Sequence, residues 1–164
     1  MSEQAQTPAQ APAPKPKSAR RRAREFAVQG VYQWLLTGET AHSIDRFLND
    51  SSTSYGRADA ALLKTALFGA IKEAEGLKAL LKPHVDRPMD EVSPVECAVL
   101  LVAGFEIVHM PETPYPVIIN EAIELAKTFG GVDGHKFVNG VLDRLASHVR
   151  EEEFVNLRTR KPRG

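Results

Sequence analysis

Most of the features that commonly carry catalysis, export or membrane insertion are scarce in this sequence. It holds a single cysteine, Cys97, so no intramolecular disulfide can form, and a lone thiol fits a reducing compartment. No apolar run approaches the roughly 18 consecutive residues that a membrane-spanning helix needs. The N-terminus is rich in Ala, Pro and Gln and lacks the apolar core of a secretory signal, so a cytoplasmic location is expected. The histidines His42, His84, His109, His135 and His148 stand far apart, with no His-x-x-x-His or Cys-x-x-Cys pairing to hold a metal. No Ser or Cys sits in a nucleophile elbow. Gly130-Gly-Val-Asp-Gly-His-Lys136 misses the spacing of a phosphate loop and follows no strand, so it reads as a helix stop and restart. Glu151-Glu-Glu153 reads as a solvated charge run. These absences predict a protein that is not an enzyme and uses neither metal nor cofactor. Strand-type alternation is missing too, so the expected fold is all-α.

Net charge is also lacking: 21 basic residues balance 21 acidic ones. What matters is where they fall. No Asp or Glu occurs between Glu3 and Glu25, whereas Lys15, Lys17, Arg20, Arg21, Arg22 and Arg24 all lie there. The basic character is a local patch. It opens a helix expected from about Ala19 to Leu36, whose apolar stripe is Ala23, Phe26, Ala27, Val31, Trp34 and Leu35. Arginines at a helix N-terminus oppose the helix dipole and one another. A polyanion relieves both conflicts, because phosphates neutralise the arginines and accept from the free N–H groups of the first turn. Val28, Tyr32 and Leu36 lie roughly opposite the stripe, with Glu25 and Gln29 nearby. Either this helix is buried on two sides, or its second face docks another protein.

The rest of the chain reads as further helices. Residues 1–17 form a Pro/Ala/Gln-rich segment expected to be disordered. Within an N-terminal helical subdomain over 18–82, a short helix covers about Ser43–Asn49 and a long one about Ala58–Leu81, ended by Pro83. A connector over 83–92 leads into a C-terminal helical subdomain over 83–149. Ser93-Pro94-Val95-Glu96 carries an N-cap, a proline at the first helical position and a capping box. The helix it opens is apolar nearly all round and is expected to be central, with Cys97 an inert buried thiol. A helix from Val117 to Phe129 halts at Gly130-Gly131, and a last helix, with Asp133 as its N-cap, runs to about Val149. The tail 150–164 is expected to fray. Six to seven helices in two small bundles is the resulting architecture.

Surface for binding is what remains. Single-stranded RNA is read by flat side chains and amides set beside phosphate contacts. Phe129, Phe137, Asn139 and Lys136 flank the Gly130–Gly134 turn, with Lys127 just before it. For Phe129 and Phe137, plain core packing competes with an RNA role.

Two blocks are then recognisable. Ala19-Arg-Arg-Arg-Ala-Arg-Glu25, with Gln29 and Tyr32-Gln-Trp34, resembles the opening helix of the NusB family of transcription antitermination factors. So does Val117-Ile-Ile-Asn-Glu-Ala-Ile-Glu-Leu-Ala-Lys-Thr-Phe-Gly130, followed by His135-Lys-Phe-Val-Asn-Gly-Val-Leu-Asp143. The likeness spans about residues 18–149. It implies binding of the boxA element of ribosomal RNA transcripts, jointly with NusE, a small-subunit ribosomal protein. NusA, NusG and RNA polymerase complete a complex that suppresses premature termination. By position, Arg20, Arg21, Arg22 and Arg24 match the family's Arg-rich RNA-binding motif, and Phe129, Asp133, Lys136 and Phe137 match its RNA-adjacent turn. Tyr32 and Glu96 match the NusE-facing side, which favours docking for the second face of the first helix, with Val28 and Leu36. Where the family commonly has arginine in an Ile/Val-Leu-Arg run, this chain has Val99-Leu100-Leu101. Two alternatives stay open. One is a helical RNA-binding module without boxA specificity. The other is a homodimer joined through the Tyr32 face. The enzyme form of this module, in ribosomal RNA cytosine methyltransferases, needs a following Rossmann-like domain whose glycine-rich loop does not occur in these residues.

Overall fold

The computed structural model describes residues 17–131 and 133–159, so the segment up to residue 16 and positions 160–164 lie outside the described residues. Local capping chemistry sets most boundaries. Ser18 Oγ accepts the Arg21 N–H at 3.0 Å and starts α1 (Ala19–Thr37). Gly38 ends it in the left-handed conformation at φ 71°, which a side chain would strain. Thr40 caps α2 (Ala41–Ser51) by accepting from Ser43, and Asp59 caps α3 (Ala60–Lys72) by accepting from Leu62.

The long helix expected over 58–81 is two helices. Glu73 leaves helical geometry between α3 and α4 (Ala74–Leu81). Its N–H still donates to Gly69 O and its carbonyl accepts from Leu77, so the apolar stripe continues across the junction. Gly69 and Gly76 flank the break and weaken helix propensity on both sides. Short 3-10 turns at Lys82–His84 and Met89–Glu91 carry the chain to α5 (Pro94–His109). Ser93 caps α5 as expected, accepting from the Glu96 N–H at 3.2 Å. Its hydroxyl in turn donates to Glu96 Oε2, so the box closes through side chains rather than through the cap N–H.

Helix α5 is the central element. It packs against α1, α3 and α4, and against α6 (Tyr115–Phe129) and α7 (Gly134–Val149). Every residue from Cys97 to Ile107 is buried, including Leu101 and one carboxylate, Glu106. Burial pushes the Cys97 thiol up, which fits an inert core residue. The apolar core is contiguous from Ala23 on α1 to Ala146 on α7, so α1, α5 and α7 draw both halves into one interior. Asp133 precedes α7 but its side chain makes no cap bond; it lies 3.5 Å from Lys136 Nζ instead.

The segment after Arg150, expected to fray, forms α8 (Glu151–Thr159), giving eight α-helices and no strand among the described residues. The reason is Arg150 itself. It is buried, and its guanidinium donates to the carbonyls of Glu106, Ile107, Met110 and Thr113 at 2.6–3.1 Å. It also pairs with Glu153, whose other oxygen accepts the Tyr115 N–H at the start of α6. One side chain thus gathers carbonyls from the end of α5 through the turn that follows, where those of Ile107 and Thr113 have no backbone donor, and fixes the residue that caps α6.

Candidate nucleic-acid and partner interface

The four arginines that open α1 point four ways. Arg20 reaches toward Asp59, 3.7 Å away, and stays about half exposed. Arg21 makes a two-bond fork with Glu121 of α6, at 3.1 and 2.7 Å. That hydrogen bonding holds the Glu121 carboxyl below its usual range and raises Arg21. Arg24 is buried, with both its Nε and Nη2 donating to Glu106 of α5 at 2.9 Å. Burial opposes the Arg24 charge, but the bonds to Glu106 and its negative charge outweigh it, and the group is raised. Much of the charge conflict at this helix start is therefore relieved by acidic residues of the protein itself, and Arg24 has no surface to offer a phosphate.

Arg22 differs. It lines a cavity of about 240 Å³ with Lys17, Glu25, Gln29, Ser52, Ser54 and Phe129. Lys17 pairs with Glu25 at 2.8 Å, and Arg22 has no ion-pair partner among the described residues. Phe129 and Gln29 also line a second cavity, of about 190 Å³, with Val28, Tyr32 and Val95. The two cavities share a wall. Side by side they form a divided groove whose lining reaches from the basic start of α1, past the C-terminal end of α6, to Tyr32.

Gly130 turns the chain at that point. Its N–H donates to Ala126 O at 2.7 Å, and a Cβ there would fall 2.7 Å from the same oxygen, so only glycine fits. Beyond the turn, Lys136 and Asn139 are exposed. Phe137 is half-buried beneath the Arg87 guanidinium, 4.4 Å from its ring centroid. Lys127 is exposed and lies 3.8 Å from Glu124.

On the partner side, Tyr32 and Leu36 are exposed large apolar residues, whereas Val28 is buried at 2% and presents only an edge to the groove. Glu96 is partly buried beside Gly134, where a Cβ would stand 3.5 Å from its carboxylate oxygen. The expected RNA-side and partner-side residues thus adjoin through Phe129 and Glu96. The sequence reading missed Arg87, Val95, Ser52 and Ser54 in this neighbourhood. Only Arg87 carried a signal, as a cation in a connector already placed between the two halves.

Among the described residues no group of three or more His, Cys, Asp or Glu is arranged to hold a metal ion, and no helix is long and apolar enough to cross a membrane. Fold and groove together define an all-helical binding protein.

Comparison with known proteins agrees and is more specific. The NusB family model matches residues 21–147. The chain is 54% identical to the transcription antitermination protein NusB of Chromobacterium violaceum, over 88% of this chain and 97% of that one. It is 56% identical to the NusB of Burkholderia cenocepacia, over 84% and 94% of the two chains. Among solved structures, a NusB of T. maritima superposes with a TM-score of 0.71 at 27% identity, covering 85% of this chain and 99% of that one. A chain in the crystal structure of antitermination factors NusB and NusE in complex with dsRNA gives a TM-score of 0.67 at 21% identity, over 79% and 97%, and supports the fold. The protein belongs to the NusB family of transcription antitermination factors, which are not enzymes.

Proposed function

We propose that this protein binds boxA RNA of ribosomal RNA transcripts together with NusE, as part of a complex with NusA, NusG and RNA polymerase that prevents premature termination. The observation that carries this reading is the groove in which Arg22, Gln29 and Phe129 meet Tyr32. A cation without an acidic partner, an amide and a partly exposed ring are the groups a single strand requires. A chain of the same fold has been solved in complex with NusE and dsRNA, which supports NusE and RNA as the ligands of this fold. Arg20 and Arg22 serve as the phosphate contacts, and Arg21 contributes through the outer edge of its fork with Glu121. Lys127, Lys136 and Asn139 border the strand, while Phe129 lies against its bases and Phe137 backs the same surface from beneath Arg87. Asp133 adjoins the strand at the turn, with its carboxylate 3.5 Å from Lys136 Nζ. Tyr32, Leu36 and Glu96 form the NusE side, with Val28 beneath it. Arg24 has a supporting part, holding α1 to α5.

The test is binding to boxA RNA and to a scrambled RNA of equal length, with and without NusE, at two salt concentrations. Preference for boxA that sharpens with NusE is the expected result. Equal, steeply salt-dependent binding of both RNAs reduces the site to a generic basic patch. Self-association that competes with NusE would instead assign the Tyr32 face to a homodimer.

A further inference from the structure

We infer that Arg87 and Phe137 form a stacking platform for one RNA base, with the Arg87 guanidinium as its middle layer. The inference rests on the RNA reading above and extends it to a residue of the connector.

Arg87 is held from both sides. Pro88 follows it and disfavours helical geometry at Arg87. Arg144 of α7 donates to His84 O at 2.7 Å, tying the start of the same connector to α7. The connector therefore runs along α7, and Arg87 arrives above its first turns, with its guanidinium 4.4 Å from the Phe137 ring centroid. Nε donates to Asp86 Oδ1 at 2.9 Å, and this bond holds the Asp86 carboxyl below its usual range. The terminal nitrogens make no hydrogen bond among the described residues, Asp86 is the one acid paired with the group there, and 41% of the side chain is exposed.

A guanidinium is planar, weakly hydrated and always charged, so it stacks on rings through both faces. Here its central carbon stands 4.4 Å from the Phe137 centroid, and the exposed 41% of the side chain is the surface left for a second ring. A base approaching this part of α7 meets Arg87 before it meets the phenyl ring. Lys136 is exposed on the same turn and supplies a cation near the stack. A strand leaving the Gly130 turn thus has a flat cationic surface to lie on, one helical turn beyond Gly134.

A stack and a phosphate contact make opposite demands on Arg87→Lys, which keeps the charge and loses the plane. The experiment uses the full chain with NusE and boxA RNAs carrying 2-aminopurine at single positions. Wild-type protein should change the fluorescence at one position beyond those affected by Phe129. Arg87→Ala and Arg87→Lys should both abolish that change and weaken binding by about five- to tenfold, at the low end of the range for one stacked base. Phe137→Leu, which keeps the apolar filling, should lose the same signal. Thermal melting of each variant confirms the fold. If Arg87→Lys binds like wild type and Arg87→Ala does not, the contact is to phosphate and the stacking inference falls. If both bind like wild type, Arg87 has no part in the site. In either case the RNA reading stands as long as Arg22→Ala weakens binding. Failure of the wild-type chain to bind any RNA overturns both.

Discussion

Arg24 and Glu106 form a bidentate ion pair inside the core, with their side chains 4% and 1% exposed. They sit 82 residues apart and join α1 to the central helix α5. An ion pair this deep contributes modestly to net stability, but removing one partner leaves a buried charge without compensation. Arg24→Ala is expected to cost about 3–5 kcal/mol in urea unfolding. Arg22→Ala should leave stability within about 0.5 kcal/mol, as surface changes usually do. It should also flatten the logarithmic salt slope of RNA binding by roughly 0.7. An Arg24→Ala variant of undiminished stability would contradict the buried pair.

Tyr32 is exposed at the end of the groove, so Tyr32→Asp should leave the thermal midpoint nearly unchanged. The same variant should lose NusE binding, because it sets a charge into an apolar contact. Isothermal titration together with a melting curve separates this from a misfolded variant. A large fall in melting temperature would make Tyr32 a core residue.

Acid should loosen the α1–α6 contact. Glu121 is held below its ordinary value of 4.5, chiefly by its hydrogen bonds to Arg21. A carboxyl depressed in the folded state adds stability that is complete above its unfolded value, and that is lost as pH falls through its folded value. The loss therefore begins near pH 4.5 and continues below it. Glu121→Gln should flatten that acid limb and lower stability at pH 7 by about 1 kcal/mol, since Arg21 is partly exposed to solvent. Unfolding free energies of the two proteins between pH 3 and pH 7 provide the check.

Arg150 holds four carbonyls at the end of α5, and Arg150→Met keeps its length without its donors. The backbone N–H groups of Met110 and Thr113 would still serve Glu106 O and Met110 O, but the carbonyls of Ile107 and Thr113 would be left without a donor, and a loss of about 3 kcal/mol is expected. Hydrogen exchange should then speed up in α8 and at the start of α6, where Glu153 accepts from Tyr115. Faster exchange confined to α8 would show that Glu153 caps α6 without help from Arg150.

A helix start was legible where a cap and an apolar period were read together, as at Ser93 with its Pro94 and Glu96, whereas the caps Thr40 and Asp59 went unread. The break at Glu73 was not legible, because the apolar stripe passes through it unshifted and only backbone geometry changes. The arginine cluster was visible as a cluster, yet its sharing out among Asp59, Glu121 and Glu106 depends on which acids the fold brings near. Glu106 did carry a signal of its own. A carboxylate between Phe105 and Ile107, in a helix apolar on every side, needs a buried cation. Arg150 was hidden in the same way: its partners are backbone carbonyls, which no sequence spells out. Phe129 and Gln29 could be placed on their helices, but their meeting in one groove is a product of α1–α6 packing.

The pairing of Arg24 with Glu106 also bears on synthesis. A ribosome adds about 5–20 residues per second, so Glu106 follows Arg24 by roughly 4 to 16 seconds. During that interval the first helix is on hand with its buried-to-be arginine still bare, and Glu121 has yet to follow for Arg21. The N-terminal half therefore cannot finish folding as an independent unit while the chain is being made. It waits for the middle of the C-terminal half, and the nascent basic segment spends those seconds with more unpaired positive charge than the finished protein ever shows.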